Sequence, residues 1–308
     1  MIKKEPLIVI LGPTATGKTE LAAVLAYQLN AEIISADSRQ VYKYMDVGTG
    51  KDLSAYFVNN KQIPYHLINL VEPVYEFNLF EFISAFNKVY DDIVSRGKKA
   101  ILCGGTGLYL HSVLKGYHLH QAPVNIELRK ELEAKTDDEL INMLGSLTFL
   151  HNKTDIEDRK RLIRALEIEL QKDKSQLTAG QINSIVFGIH YDREIIRERI
   201  TARLRKRLQD EAMIEEVENL LNRGVTEQRL KSFGLEYKYI TMYLMKEINY
   251  QTMFEKLNTA IHQFAKRQMT WFRKIERETF EINWIDGNLP LNVKIDFIIN
   301  IIKQKTPY

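Results

Sequence analysis

A phosphate-binding loop near the amino terminus constrains this chain more than any other feature. A complete GxxxxGKT pattern is formed by Gly12-Pro13-Thr14-Ala15-Thr16-Gly17-Lys18-Thr19. An apolar run at 7–11 precedes the pattern and apolar residues at helical spacing follow it, as expected for a loop between a buried strand and a helix. Loop N–H groups and the helix N-terminus then face an anion, Lys18 adds a cation and Thr19 offers a hydroxyl to Mg²⁺. The segment predicts a site for a diphosphate or triphosphate without indicating which molecule carries it.

Two later apolar runs also end in short polar or glycine-rich segments. The run at 31–36 delivers Asp37-Ser38-Arg39-Gln40, and the run at 99–103 delivers Gly104-Gly105-Thr106-Gly107. In parallel α/β sheets, ligands bind at the carboxyl ends of the strands. Strands that alternate with helices predict a doubly wound, P-loop NTPase-like parallel sheet with flanking helices.

The domain organisation follows from where the strand pattern stops. Residues 1–120 read as the first part of the α/β core, with a third strand at 65–70 and a helix at 79–96. Residues 121–183 are charged and helical, which predicts a small all-helical insertion domain. Residues 184–308 resume with a strand at 184–189 and continue as helices at 193–208, 212–222, 235–245 and 252–274.

Asp37 is the strongest catalytic candidate outside the loop. A carboxylate at the end of a neighbouring strand can bind Mg²⁺ or act as a general base on a second substrate. It can also serve only as a helix or turn cap, since Asp-Ser is a common capping pair. Thr106 occupies a similar strand end and offers a hydrogen bond, although a plain strand-to-helix turn explains the glycines around it as well.

Composition excludes several classes of protein. The net charge is only +3, so a polyanion must be bound by local clusters of cations rather than by bulk charge. The single Cys103 rules out an internal disulfide, and no Cys/His spacing indicates zinc. No apolar leader or run of about 18 residues is present, which predicts a cytoplasmic protein that is not bound to membranes.

Three basic stretches indicate a polyanionic partner. They span 158–164, which includes Arg161 and Arg164, 191–208, and 262–274, where Lys266, Arg267 and Gln268 precede aromatic residues. Each alone reads more readily as a solvated helix face, but cations interleaved with aromatics are typical of single-stranded nucleic-acid surfaces. Three such stretches beside a phosphate site favour a nucleic-acid partner.

Together the motifs resemble the tRNA dimethylallyltransferases, also called tRNA isopentenyltransferases. The resemblance covers most of the chain and runs in order through GPTATGKT at 12–19, ISADSRQVYKYMDVGTGK at 34–51, PYHLINLVEP at 64–73, GGTGLYL at 104–110, RLIRALE at 161–167 and KRQMTWFR at 266–273. It implies Mg²⁺-dependent transfer of a prenyl group from dimethylallyl diphosphate to N6 of adenine 37 in the tRNA anticodon loop. We expect no obligate protein partner and a monomer, although the sequence itself does not give the oligomeric state.

The resemblance assigns roles to individual residues. Asp37 becomes the base that takes the N6 proton, Thr14 lies near the reacting centre, and Lys18 and the loop hold the diphosphate. Base recognition falls to Ser38, Arg39 and Gln40, and tRNA contacts fall to Thr106, Arg129 and Arg161. Lys231 stands where the family has a diphosphate-binding Arg, and Asn69, Tyr65 and Asp52 also depart from the usual pattern.

The residues themselves leave three alternatives open. A small-molecule kinase would hold ATP in the same loop, and a related prenyltransferase would modify free adenine nucleotides. A non-catalytic RNA-binding protein would have no use for the Gly17-Lys18-Thr19 and Asp37 set. The extent of basic surface favours tRNA over a free nucleotide as acceptor.

Overall fold

The computed structural model describes residues 5–120, 122, 124–147, 158–171, 176–178, 182–278 and 280–306. The chain divides into two compact units. The first comprises Met1–Lys115 and Gln181–Tyr308, and the second is Gly116–Gly180. The expected insertion, 121–183, differs from the second unit by a few residues at each end, and residue 121 itself lies outside the described residues.

The first unit contains a six-stranded parallel sheet, which confirms the expected architecture. Its strands are β1 (Leu7–Leu11), β2 (Glu32–Ser35), β5 (Tyr65–His66), β6 (Ala100–Gly104), β9 (Ser184–His190) and β10 (Ile282–Asp286). They lie in the order β10-β9-β1-β6-β2-β5, with β1 between β9 and β6. Strands β1 and β6 are buried along their whole length because helices cover both faces of the sheet.

Helices cover both faces of this sheet. Helix α1 (Lys18–Leu29) and helix α12 (Leu291–Lys305) share one apolar cluster with the sheet. Helix α2 (Leu79–Ser95) and helix α3 (Gly107–Lys115) pack together, with the rings of Phe82 and Tyr109 stacked 3.8 Å apart. Helix α2 begins at a capping box in which Asn78 and Glu81 exchange hydrogen bonds, which explains its sharp start.

A second apolar core in this unit is built from helices. They are α7 (Arg193–Gln209), α8 (Met213–Asn222), α9 (Glu227–Phe233), α10 (Leu235–Leu244) and α11 (Tyr250–Arg277). Val41, Tyr42 and Met45, from the segment after β2, pack into the same core. These contacts hold the segment 41–47 in place after the carboxyl end of β2.

The region 53–70 differs from the expected single strand at 65–70. It forms a 3₁₀ turn (Leu53–Tyr56), a hairpin of β3 (Phe57–Val58) and β4 (Lys61–Gln62), and the two residues of β5. Leu67 and Asn69 adopt left-handed backbone angles, with φ of 61° and 57°. Such angles end an extended strand, so β5 stops at His66.

The second unit is mainly helical. Helices α4 (Ile126–Glu133), α5 (Asp137–Leu147) and α6 (Arg159–Leu170) enclose a small leucine-rich core. A ribbon of β7 (His118–His120) and β8 (Gln176–Thr178), which the sequence did not indicate, accompanies them. The part of the predicted helical insertion at 148–157 lies outside the described residues. No helix within the described part of the chain is long and apolar enough to cross a membrane.

Candidate active site

The phosphate loop forms the turn between β1 and α1. Ala15 and Gly17 adopt left-handed angles, with φ of 65° and 80°. The Thr16 hydroxyl donates to the Pro13 carbonyl at 2.9 Å and closes the loop from inside. At Gly12 an added Cβ would meet the Thr16 hydroxyl at 2.9 Å, so the loop requires a glycine there. The loop is a preformed anion cradle at the start of α1.

Lys18 folds back over this loop. Its Nζ donates to the Pro13 carbonyl at 3.3 Å. Burial lowers the pKa of Lys18, and the nearby Cys103 and Asp37 partly oppose that shift. A bound phosphate would favour the charged form of Lys18 and raise its pKa again, as expected for a cation held in a phosphate site.

Asp37 lies just beyond the end of β2, in the same cleft as Lys18. Its Oδ1 accepts from the Arg39 backbone N–H at 2.9 Å, so the turn fixes its orientation. Its second oxygen has no hydrogen-bond partner in the part of the chain that the structure describes. Asp37 therefore combines a fixed position with a free acceptor, as a general base needs.

Thr106 joins the ends of two strands. Its hydroxyl oxygen accepts from the Ser38 N–H at 3.0 Å, and its own N–H donates to the Ala36 carbonyl at 3.2 Å. At Gly104 an added Cβ would collide with the Ala36 backbone, which explains the glycine there. Thr106 thus supports the Asp37 turn and also lines the cleft.

Gln268 connects the phosphate loop to the glycine-rich loop. Its side chain is buried, accepts from the Thr14 N–H at 2.9 Å and donates to the Gly105 carbonyl at 2.9 Å. Both functional ends of the amide are thereby used. The structure assigns Gln268 a bridging position, whereas the sequence suggested a tRNA contact.

Gln40 also has internal partners. Its amide accepts from the Ser35 hydroxyl at 2.9 Å and donates to the Gly50 carbonyl at 3.2 Å. Arg39 and Ser38 are half-buried beside it. Of the expected base-recognition residues, Ser38 and Arg39 retain exposed surface, and Gln40 mainly holds the wall of the cleft.

These residues surround one cleft of about 1360 Å³ in the first unit. Its lining includes most of the expected site residues, namely Thr14, Ala15, Gly17, Lys18, Thr19, Asp37, Ser38, Arg39, Gln40, Thr106, Arg267 and Gln268. Five further residues from α7, α10 and β3 line the cleft: Arg199, Arg203, Arg207, Glu236 and Phe57. The cleft can hold two substrates side by side.

Lys231 is not brought to the cleft. Its Nζ forms ion pairs with Glu247 and, at 3.7 Å, with Glu227. Both carboxylates raise the pKa of Lys231 through hydrogen bonds and charge. The diphosphate contact expected of Lys231 is therefore not supported by its position. Lys266 is exposed on α11 and is also absent from the cleft lining.

In the second unit, two of the three predicted tRNA-contacting arginines hold a buried carboxylate. Arg129 Nε and Nη2 donate to Glu167 at 3.0 and 2.8 Å, and Arg164 Nη1 donates to it at 2.5 Å. Burial raises the pKa of Glu167, but the donors Arg129, Arg164 and Asn125 outweigh burial and lower it. Arg161 is exposed, and its side chain has no partner among the described residues.

The row of arginines on α7 was not singled out from the sequence. Arg199 Nε donates to the Ala15 carbonyl at 2.9 Å and docks the helix on the phosphate loop. The sequence indicated these arginines only as part of the basic stretch 191–208, on the solvated outer face of a helix, whereas Arg199, Arg203 and Arg207 line the cleft. Glu236 and Phe57 had no sequence signal.

Comparisons with known proteins agree on one family. The model of the family described as "IPP transferase" matches residues 40–275, and that described as "Isopentenyl transferase" matches residues 6–70. A protein named tRNA dimethylallyltransferase 1, from Parabacteroides distasonis, is 53% identical over 99% of this chain and 100% of its own length.

Solved structures give the same result. The crystal structure of tRNA delta(2)-isopentenylpyrophosphate transferase from Staphylococcus epidermidis is 30% identical with a TM-score of 0.70, over 98% of this chain and 100% of that one. A eukaryotic dimethylallyltransferase acting on tRNA is 23% identical with a TM-score of 0.78, over 96% of this chain and 80% of that one, and it shares the fold.

Proposed function

The chain belongs to the IPP transferase family of tRNA dimethylallyltransferases, and from that premise we propose how its own residues perform the reaction. The protein is an enzyme that transfers the dimethylallyl group of dimethylallyl diphosphate to N6 of adenine 37 in a tRNA anticodon loop, releasing diphosphate. The observation that carries this is the placement of Asp37 in the same cleft as the phosphate loop. The same family membership favours prenyl transfer over the ATP-dependent kinase and the free-nucleotide prenyltransferase.

Asp37 acts as the general base. The exocyclic N6 is a weak nucleophile because its lone pair is delocalised into the adenine ring. As the bond from N6 to the prenyl C1 forms, the bond from C1 to the diphosphate oxygen breaks and the N6 proton moves to Asp37. Its orientation by the Arg39 N–H leaves one carboxylate oxygen available for that proton.

The phosphate loop stabilises the leaving group. Negative charge grows on the diphosphate as the C–O bond breaks, and the loop N–H groups and Lys18 are positioned in advance to meet it. The partner of Lys18 in the structure is the Pro13 carbonyl, at 3.3 Å, a contact that a phosphate oxygen can replace. Thr14 lies where the loop faces the cleft, with its N–H fixed by Gln268.

The residues fit a Mg²⁺ ion of the phosphate-loop type. Thr19 lines the cleft beside Lys18 and would supply a hydroxyl ligand. No cluster of three acidic, His or Cys residues that could hold a metal occurs among the described residues, and Mg²⁺ bound with a diphosphate needs none because phosphate oxygens and waters complete its shell. When bound, the ion would neutralise charge on the diphosphate.

The tRNA must present its adenine out of the stacked loop. Flipping a base costs a few kcal/mol, which contacts to the RNA backbone offset. Arg39 and Arg267 at the cleft, and Arg161 on the second unit, have exposed surface, and we assign them to such contacts. A tRNA substrate supports a cytoplasmic location, and action as a monomer stays part of the proposal.

Product analysis tests this proposal directly. The purified protein is incubated with unmodified tRNA, Mg²⁺ and dimethylallyl diphosphate, and nucleosides are analysed by mass spectrometry. We expect one prenyl group on adenosine, lost in an Asp37→Asn variant that still binds tRNA. Parallel reactions use AMP as acceptor and ATP as donor. Phosphate transfer from ATP, or prenylation of AMP in preference to tRNA, would refute the proposal.

A further inference from the structure

The segment 46–50 forms part of the cleft wall without belonging to a helix or strand. Its residues 48–50 line the cleft that also holds Asp37 and Lys18. Backbone of this kind has no ladder of hydrogen bonds from regular structure, so its polar groups need partners from neighbouring elements. The position of this wall therefore depends on the side chains that bind it.

Glu216 on α8 binds the backbone of this segment. Its Oε2 accepts from the N–H groups of Asp46 and Val47, both at 2.7 Å. Its Oε1 accepts from the Gly48 N–H at 3.0 Å. Successive backbone N–H groups that converge on one point form an anion site, and a carboxylate binds them more strongly than a neutral oxygen does. The protein supplies this anion itself, so one side chain joins the segment to α8.

Tyr237 on α10 supports the same carboxylate. It is buried, and its hydroxyl donates to Glu216 Oε1 at 2.7 Å. Burial and the charge of Glu216 raise the pKa of Tyr237, so the hydroxyl stays protonated and remains a donor. An added Cβ at Gly48 would lie 2.6 Å from the Tyr237 ring, which explains the glycine at this contact. Glu216 thus accepts from three amides and one hydroxyl, which fixes its orientation.

Lys51 holds the segment from another direction. Its side chain is fully buried, and its Nζ donates to the Tyr42 carbonyl and to Asp46 Oδ1, both at 2.6 Å. The same Nζ donates to Asn69 Oδ1 at 2.5 Å. Lys51 therefore fixes the segment against the residues that follow β2 and β5, whereas Glu216 fixes it against α8.

A short path of contacts leads from Glu216 to the proposed base. Val47 donates its N–H to Glu216, and its carbonyl accepts from the Gly50 N–H at 3.1 Å. The Gly50 carbonyl accepts from the Gln40 amide at 3.2 Å. Gln40 lies three residues after Asp37, at the end of the same turn. A shift of Val47 is therefore passed on to the turn that carries Asp37.

We propose that Glu216 is a positioning residue for prenyl transfer, which places the Asp37 turn relative to the phosphate loop through the segment 46–50 and Gln40. This inference rests on the proposed function for the identity of the reaction. Glu216 is absent from the cleft lining, so it acts through the segment and not on a substrate. Its loss should lower the rate of the chemical step more than it weakens binding of either substrate.

Single-turnover prenylation by Glu216→Gln tests the inference. The variant keeps one acceptor oxygen but turns an NH₂ group toward at least one backbone N–H, so the segment shifts. Since a displacement of about 1 Å costs about 10²-fold, we expect the rate constant at saturating substrates to fall about 10- to 100-fold, with Kd values for pyrophosphate and tRNA changed less than about threefold. The control Glu215→Gln, at an exposed position of the same helix, removes the same charge and should keep the wild-type rate.

Stability and amide exchange separate this role from a merely structural one. Urea unfolding of each variant defines conditions in which it is fully folded, and prenylation is measured there. If Glu216 contributes only to stability, folded Glu216→Gln reacts at the wild-type rate and the inference is wrong. Hydrogen exchange of the amides 46–48 should be faster in Glu216→Gln than in the wild-type protein. Unchanged exchange would show that the carboxylate does not hold these groups and would also overturn the inference.

A double-mutant cycle tests the path through Gln40. Gln40→Leu removes the hydrogen bond to the Gly50 carbonyl. If Glu216 acts through Gln40, the rate losses of the two single variants do not multiply in the double variant. Multiplied losses would mean that Glu216 acts by another route and would refute the inference. Glu216→Asp, whose carboxylate is set back by one C–C bond, serves if Glu216→Gln fails to fold; it should also react slowly, and a wild-type rate there contradicts the inference.

The inference and the proposed function fail in different ways. Prenyl-adenosine formed at equal rates by the wild-type protein and by Glu216→Gln refutes the inference alone. Weaker tRNA binding by Glu216→Gln with an unchanged single-turnover rate would assign Glu216 to RNA binding and also refute it. Absence of prenyl-adenosine with the wild-type protein refutes the proposed function and, with it, the role of Glu216 in that reaction.

Discussion

Replacing Gln268 with Leu separates structural from RNA-binding roles in the KRQMTWFR segment. The side chain is 6% exposed and makes two hydrogen bonds of 2.9 Å, to the Thr14 N–H and the Gly105 carbonyl. Leu fills a similar volume but leaves both backbone groups unpaired. With a cost of about 1–3 kcal/mol for each of the two buried groups left unsatisfied, we expect the free energy of unfolding to fall by about 2–6 kcal/mol.

The same change should slow the chemical step. Thr14 belongs to the phosphate loop, and releasing its N–H lets the loop shift relative to the strand end at Gly105. A displacement of about 1 Å at reacting groups can cost about 10²-fold in rate, so we expect kcat to fall while the Kd for tRNA changes less than twofold.

Urea unfolding, single-turnover prenylation and tRNA binding are the three assays. The matched control is Arg267→Gln, the exposed neighbour, for which we expect weaker tRNA binding and unchanged stability. If Gln268→Leu instead weakens tRNA binding and leaves stability unchanged, Gln268 is an RNA contact and the reasoning is wrong.

Three further predictions follow from single sites. Asp37→Asn should lower kcat by about 10²–10⁴-fold with pyrophosphate and tRNA binding retained, and a small loss in single-turnover assays would exclude Asp37 as base. Because the pKa of Glu167 is lowered from 4.5, ionised Glu167 stabilises the second unit above that pH, and this contribution is lost as the pH falls below it. Glu167→Gln should remove this pH dependence and destabilise the second unit by about 3–5 kcal/mol. Hydrogen exchange of residues 159–170 at several pH values measures both effects. Arg161→Gln should reduce the slope of log K against log salt for tRNA binding by about one, and an unchanged slope would mean that Arg161 touches no phosphate.

The parts of the fold set by local pattern were predictable. The strand, loop and helix around 7–29 follow from a continuous apolar run, fixed glycines and helical spacing, and the helix at 79–95 follows from its cap and apolar face. Strand β10 and helix α12, after residue 281, were not expected, and neither was the β7–β8 ribbon. The short strands carry little period of their own and are stabilised by pairing with distant strands, whereas α12 packs Ile295, Ile298 and Ile302 into the core of the sheet.

The site was predictable where function and local motif coincide. Asp37 and Lys18 lie together because parallel strands end at the same edge of the sheet. The bridging position of Gln268 could not be predicted because its partner Thr14 is 254 residues away, and the inward orientation of Arg203 could not be predicted because it depends on how α7 docks. Lys231 was assigned by resemblance alone, and two glutamates hold its ammonium elsewhere.

The strand order has a consequence for how the enzyme is made. Strand β1 pairs on one side with β6 and on the other with β9, where Leu7 lies opposite Ser184. During synthesis the whole second unit emerges before β9 does, so the apolar strand that carries the phosphate loop waits with one edge open. An open apolar edge invites pairing with other chains. The helical second unit, with its own core, can fold during this interval, and β1 is paired along both of its edges only after residues 184–190 leave the ribosome.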